Sequence, residues 1–599
     1  MHIIFDGQYP VTNIPFPMLT APGQKTNVSG GRLINCYPEP NAATAGLPNS
    51  YWRVPGLDVW GTVPSGTYRG GVYVQQQGIF YGIFGNTVYS WGGAGAGTAL
   101  SGSISGTKFC WCAVNQAVTP DVVFVSPGVG AFWTPSGGTS VGAYPDGNVG
   151  APDSVTFLDG FFVFTAGNGT TIVSDLNTTT INPLNFATAQ SKPDALWRPI
   201  PLGNGQLLLC GSNTIEVWGG PLNPTDYPFN YVATIYRGIP GPSAICGAED
   251  GWGKGIFMVG DDNKVSSIAI GSYVPTPVSI PDLDQIIEAE PDKTKIIVGC
   301  YVARGHGMVV VQGPTWCWEY DTTLTSWHER QSYLQTYWRG YQPIYAFGNW
   351  LCGDVQGPNL LRLDGRTYKE GGVSEVQEIS ITGSPAGGTF KLSFNGLITP
   401  SIAYNATAAD LQTALFTLPD LNGNVSCQGG PFPTNPVTVN FVNELENSPH
   451  PLIQLSLNQL VNAGIPPSPM GDVLITRITA GVLADPIRMR IETGPIGAFP
   501  HVVRINSIEV YMTKGASNAL GANPQETNAM IEVSCSRDAG QNWSSPRILY
   551  IGRQSTTTQR ARGAIWGSGV IEGVRWRFDE SAGINFAFMG ADMESDTLR

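Results

Sequence analysis

Acidic residues spaced two apart are the first candidates for chemistry in this chain: Glu319 with Asp321, Asp282 with Asp284, and Glu288 with Glu290. Glycoside hydrolysis needs two carboxylates facing one another across a cleft. Neighbours along one segment do not supply that geometry, so solvated loop acids are expected. Asp261-Asp262-Asn263 lies between two apolar runs where Asp and Asn favour a turn, and it offers fewer oxygens than a calcium cage needs. Cys110-Trp111-Cys112 puts two thiols on one face of a strand without the second cysteine pair of a zinc finger. The five histidines, His2, His306, His328, His450 and His501, are too dispersed to suggest a triad or a metal centre. No P-loop, G-x-S-x-G or H-E-x-x-H pattern occurs. The expectation is therefore no catalytic, cofactor-binding or metal site, and no enzyme.

One motif needs separate treatment. Ser536-Arg537-Asp538-Ala539-Gly540-Gln541-Asn542-Trp543 fits S-x-D-x-G-x-x-W and resembles the Asp box of sialidases. In that motif the Asp caps a hairpin turn through backbone N–H bonds, so its role is structural.

The elements that would position any site are strands. Lys295 to Arg330 reads as a four-stranded antiparallel sheet, with runs Ile296 to Val302, Met308 to Val311 and Trp316 to Tyr320, an Arg304-Gly305-His306-Gly307 turn, and a last hairpin closing at Trp327. Such a sheet needs copies beside it to bury both faces. Similar units recur near Tyr68 to Trp91, Lys108 to Trp133, Ser154 to Asp175, Ala195 to Trp218, Ala244 to Ile270 and Trp338 to Leu363. Their starts lie roughly 40 to 50 residues apart, the period of propeller blades. An all-β fold built on a β-propeller of six or seven blades is expected; a string of stacked β-sandwich domains is the alternative.

Composition agrees with an all-β reading. The 599 residues include Gly 75 and Pro 46, charged residues make up 13% and apolar residues 42%. Trp 16, Tyr 22 and Phe 24 are too many aromatics for a solvated coil. The net charge of -13 is uneven: Met1 to Val373 holds 18 Lys and Arg against 26 Asp and Glu, Ser374 to Ala484 holds 2 against 7, and Asp485 to Arg599 holds 12 against 12. A net-acidic propeller is a poor candidate for gripping nucleic acid through phosphates. Ten scattered cysteines suit buried free thiols in a reducing compartment. The start shows no leader pattern, and no apolar run is long enough for a transmembrane helix.

Four regions are expected. Residues 1–51 read as an extended N-terminal arm with one short strand at Arg32 to Tyr37, and residues 52–373 as the propeller. Residues 374–484 read as an inserted β-rich module with one helix at Ala408 to Leu418, started by Thr407 and Asp410 in the manner of a capping box. Residues 485–599 read as a C-terminal β-sandwich, carrying Arg575 and Arg577 on an outer face that Arg560 and Arg562 can extend. Within the propeller the Asp282 to Glu290 stretch reads as a helix of about two turns.

Several blocks carry a resemblance: Asn35-Cys36-Tyr37-Pro38-Glu39, Arg53-Val54-Pro55-Gly56-Leu57, Arg69-Gly70, Cys210-Gly211-Ser212-Asn213-Thr214-Ile215-Glu216-Val217-Trp218, Arg237-Gly238-Ile239, and Asp364-Gly365-Arg366-Thr367-Tyr368. In this order they resemble the tail hub or nozzle proteins of short-tailed bacteriophages, also called packaged-DNA stabilisation proteins. The resemblance covers Met1 to Val373 and resumes over Asp485 to Arg599. The inserted module departs from it and is similar to β-rich modules of other phage and bacterial surface proteins, through Gly388 to Gly396 and Tyr404 to Ala408. The resemblance implies a structural virion component of the tail, assembled in the host cytoplasm. It implies a homo-hexamer beneath the portal and adaptor ring, with tail fibre or spike proteins as neighbours. Double-stranded DNA would pass through its channel without sequence-specific binding, and would be held there until ejection. The sequence leaves open a carbohydrate-binding or carbohydrate-cleaving propeller and a bacterial scaffold or adhesin.

Overall fold

The 295–330 unit folds as four antiparallel strands, Ile297–Ala303, His306–Gln312, Cys317–Asp321 and Ser326–Glu329, in the computed structural model. The first turn is only Arg304-Gly305, both at positive φ (50° and 84°). That two-residue geometry matches strand twist, so the ladder runs on to Ala303 opposite His306 and draws His306 and Gly307 out of the expected turn into the strand. The structure describes residues 11–42, 48–189, 191–192, 194–202, 204–220, 227–462, 471–497, 500–519 and 524–598. The start read as lacking a leader, and His2 with it, lie outside them apart from Val11.

Six more sheets of the same kind occupy 68–99, 111–143, 154–188, 196–235, 245–277 and 340–364, the last completed from elsewhere. The protein is a seven-bladed β-propeller. Residues 340–364 supply only three strands, and the fourth is Gly56–Thr62, antiparallel to Asn359–Asp364. The inner strand of the first blade, Tyr68–Val74, packs on that of the second, Trp111–Val114, and on that of the seventh, Gly340–Ala346. The ring therefore closes on a strand from the other end of the repeats, which leaves no blade to be completed by a neighbour.

The segment expected as an extended arm, residues 1–51, supplies several strands in its described part, and Trp52 and Arg53, expected in the propeller, end the last of them. Arg32 to Tyr37 is two strands, Gly31–Ile34 and Cys36–Pro40, broken at Asn35 with φ 56°. Gly31–Ile34 pairs with Met489–Thr493, and Asn49–Arg53 pairs with Cys36–Pro40 and with Ala587–Leu598. Two C-terminal sheets thus form, sharing a core of Leu33, Tyr51, Ile491, Ile531, Trp576 and Phe588. One of them continues the sixth blade: Ser326–Glu329 is followed by Gly31–Ile34, Met489–Thr493, Arg575–Glu580, Met530–Ser536 and Arg547–Tyr550 in a single nine-stranded sheet.

Residues 376–479 form two four-stranded sheets around the helix Ala408–Leu415, with a core of their own containing Phe390, Leu411, Leu415 and Val439. Thr407 and Asp410 make both capping-box bonds. The chain enters and leaves this unit side by side, through reciprocal Val373 and Val482 backbone bonds of 3.1 and 2.8 Å. The propeller helix is Pro281–Ala289, held by Leu283 and Ile287 one turn apart on its buried face. No helix among the described residues is long and apolar enough to cross a membrane.

Candidate functional site: the seam between propeller and sandwich

Asn35 is the point where three parts of the chain meet. Its left-handed backbone, tolerated by Asn better than by most residues, breaks the strand and turns its side chain inward. There its amide donates to the carbonyls of Gln331 (2.8 Å) and Arg488 (2.9 Å), while its oxygen accepts from the Gln331 N–H (2.8 Å). Three residues earlier, Arg32 clasps Glu329 through two bonds of 2.8 and 2.6 Å.

Beneath this node lies a buried charged cluster built on the sixth blade. Alternation along Cys317–Asp321 sends Glu319 and Asp321 to one face, and both are fully buried. They are not solvated loop acids. Glu319 accepts from the Tyr301 hydroxyl (2.5 Å) and sits 2.7 Å from His328 Nε2 and 3.5 Å from Arg330 Nη1. Burial pushes its carboxyl up, but Arg330, His328 and Tyr301 together hold it below the usual carboxylate range. Asp321 lies 2.7 Å from His306 Nδ1, a contact that raises the imidazole against the effect of burial. Tyr37 from the strand after Asn35 packs on both rings, at 4.9 Å from His306 and 6.1 Å from His328. Two of the histidines that looked dispersed in sequence thus meet at one Tyr37 ring, because the second and fourth strands of one blade carry them on either side of Cys317–Asp321.

Arg330 extends the cluster toward the N-terminal segment. Wholly buried, it donates to the Pro55 carbonyl (2.6 Å) and the Tyr301 hydroxyl (3.2 Å), lies over Trp338, and stands 3.9 Å from Glu370. Glu370 is pushed up by burial, an effect Arg330 only partly offsets. Arg53, equally buried, pairs with Glu580 of the C-terminal sheet and donates to the Ala582 carbonyl. Arg304 reaches the carbonyls of Arg53 and Gly365 and the Tyr368 hydroxyl, which in turn donates to Asn585. Arg339 grips Asp354 through two bonds and touches Asp485, where the chain returns from the inserted unit.

Chemically this arrangement joins parts of the chain through buried ion pairs and hydrogen bonds. Glu319 and His328 stand at hydrogen-bonding distance like an acid-base pair, yet both are enclosed. Removing either partner of such a pair strands a charge, which is why the groups can fix one arrangement of blade, N-terminal strands and sandwich.

The other sequence blocks resolve in the same way. Arg69 spans the first two blades, donating to the carbonyls of Lys108, Gly85 and Ile104 and to the Ser126 hydroxyl, all within 2.9 Å. Asp194 caps the Ser212-Asn213-Thr214 turn by accepting from the Asn213 and Thr214 N–H groups, and Gly238 packs so tightly on it that a Cβ would lie 2.2 Å from Ser212 backbone atoms. Glu216 accepts from Ser191 N and the Trp218 ring.

The remaining candidates, Glu288 apart, are similarly occupied. Asp538 accepts from the Asn542 backbone and side chain and from Ser536, which hold it down to about 2. Asp261 and Asp262 face the Arg237 guanidinium, at 3.8 and 3.2 Å. Asp282 accepts from Gly23 N, Asp284 from Ser279 and Glu290 from Trp316, and Glu288 is exposed. Arg575 and Arg577 are no open basic patch: both pair with Glu492 and pack on Trp543, while Arg560 and Arg562 lie on the other sheet and pair with Glu509 and Glu594. All ten cysteines are unpaired.

A cavity of about 950 Å³ opens where the starts of the inner strands converge, lined in part by Lys108, Phe109, Trp111, Trp197, Lys295 and Tyr341. The sequence analysis missed it, since its lining comes from blades far apart in the chain.

Comparison with known proteins gives low-identity likenesses to solved structures. The WD40 beta propeller domain of Doa1 is 12% identical with a TM-score of 0.34, covering 52% of this chain and 96% of that one. The computationally designed Ika8 protein is 12% identical at 0.31, covering 58% and 100%. Virginiamycin B lyase from Staphylococcus aureus is 13% identical at 0.34, covering 50% and 94%. No curated protein matches. Residues 27–368, more than half of the chain and every strand of the propeller ring including the closing Gly56–Thr62, match the model of a phage stabilisation family described as Bacteriophage P22 Gp10, beta-propeller, and this protein belongs to that family.

Proposed function

We propose that the protein is a structural component of a phage tail, a hub or nozzle that continues the DNA channel below the portal and adaptor, retains the packaged genome and guides its ejection. Family membership carries the reading. The buried seam supports it, because it spends the charged side chains that could do chemistry on holding the propeller, the N-terminal strands and the sandwich in one geometry. A load-carrying ring subunit needs that rigidity. The inner strands of neighbouring blades pack on one another around the propeller axis, so in this reading the channel does not run along that axis and is enclosed between subunits. Six copies around it, as the resemblance implies, would present a net-acidic wall that does not retain DNA by phosphate contacts.

In this reading the protein has no hydrolase activity, takes no sequence-specific hold on DNA, and neighbours portal, adaptor and fibre or spike proteins in the virion. Electron microscopy of assembled tails tests it: a six-fold ring below the adaptor is expected, and particles made without the protein should lose their DNA. Particles that keep their genome without it would overturn the retention role. The aromatic lining of the axial cavity favours glycan binding as a second reading, and a glycan array on the monomer that gives a signal lost in Trp197→Ala would establish that alternative.

A further inference from the structure

The fifth blade has the shortest inner strand of the seven, only Ile245–Cys246, whereas the other inner strands run for four to seven residues. It is also where three metal-binding side chains converge. Cys246 Sγ, a Glu249 carboxylate oxygen and Cys300 Sγ all lie within 4.8 Å of one another. Cys300 belongs to the inner strand of the sixth blade, so the cluster bridges two blades.

We propose that Cys246, Glu249 and Cys300 bind one zinc ion that clips the fifth blade to the sixth beside the propeller axis.

The donor set suits zinc, which takes Cys sulfur and carboxylate oxygen in a tetrahedron. Bonds of about 2.3 Å to sulfur and about 2.0 Å to oxygen put ligand atoms roughly 3.5–3.8 Å apart. The present Cys300 Sγ to Glu249 Oε2 distance is 3.2 Å, so inserting the ion needs only a small outward movement. Glu249 is already aimed, since Oε2 also accepts from the Gly247 N–H at 2.6 Å. Such a bond from outside the ligand set is the usual device for orienting a metal-binding carboxylate. Both thiols are fully buried while Glu249 is half-buried, which gives the ion a path in and leaves the fourth position to a water.

Charge balance points the same way. On binding, the two S–H bonds break, their protons leave to solvent, and two Zn–S bonds and one Zn–O bond form with no change of oxidation state. Two thiolates and a carboxylate carry three negative charges, of which the ion cancels two. The Arg198 guanidinium from the fourth blade acts electrostatically on Cys246 and Glu249 and offsets the third.

The test uses the full-length chain, reduced, incubated with zinc sulfate and desalted. About one zinc per chain is expected by elemental analysis, along with a melting temperature that zinc raises and a chelator lowers. Cobalt(II) in place of zinc should give a thiolate-to-cobalt charge-transfer band in the near ultraviolet. Cys300→Ser and Cys246→Ser should each lose that band and the stoichiometric metal, with circular dichroism confirming the fold. Should the serine variants not fold, Glu249→Gln reports instead through a weaker zinc affinity. A reduced, folded wild-type protein that takes up no zinc would overturn the proposal. So would zinc retained in the folded double serine variant, or a Cys246–Cys300 disulfide recovered from the native protein in place of metal.

Discussion

Arg330→Met is the sharpest test of the seam. The substitution keeps an apolar stem of similar length and removes one buried guanidinium, with its bonds to Pro55 and Tyr301 and its charge beside Glu319 and Glu370. Breaking one side of a buried ion pair costs about 3–5 kcal/mol. A cooperative unit of roughly 300 residues has an unfolding entropy of about 0.6 kcal/mol/K, so the transition should fall by about 5–8 °C. Scanning calorimetry at a fixed scan rate measures it, since a chain of this size can unfold irreversibly. Glu319→Gln alone should also destabilise, because it leaves Arg330 beside Glu370 only. The double variant should recover about 1–3 kcal/mol relative to the sum of the two, as expected for residues in contact. Arg366→Met is the control: its side chain is 91% exposed with one partner at 3.5 Å, and it should stay within about 0.5 kcal/mol. A fall of less than about 1 °C for Arg330→Met, or strictly additive losses in the double variant, would refute the claim that this cluster holds the parts together.

Gly238→Ala should lower soluble yield sharply, because its Cβ would meet Ser212 backbone atoms and not a movable side chain; wild-type yield and melting would contradict the packing described. His306 has its imidazole raised by Asp321, so the stability it contributes is complete below the unfolded value and lost as pH rises through the folded one. His306→Gln should therefore cost more at about pH 5.5 than at about pH 9, and an equal deficit at both would count against the ion pair. Joining Val373 directly to Leu483 should leave a soluble protein whose remaining transition is cooperative, because the excised unit has its own core and its ends are already paired through Val373 and Val482. Aggregation of that variant would show that the unit supports the rest.

Repetition made the propeller legible in the sequence. Each blade is a local set of hairpins, so its β-branched runs and Gly turns lie within about 40 residues and can be read without knowing what they touch. Local signals also gave the Pro281–Ala289 helix and the Thr407–Asp410 cap. Nothing local could disclose the closing strand Gly56–Thr62, because an outer strand is defined by its partner, and that partner lies at Asn359–Asp364. The same holds for Glu319, whose i, i+2 neighbour suggested a solvated loop. Its burial was decided by Arg330, His328, Tyr301 and the N-terminal strands stacked over it, which only folding brings together. Cys246, Glu249 and Cys300 show the limit most plainly: two are near in sequence, the third is on the next blade, and the stacking of inner strands around the axis alone makes them one site.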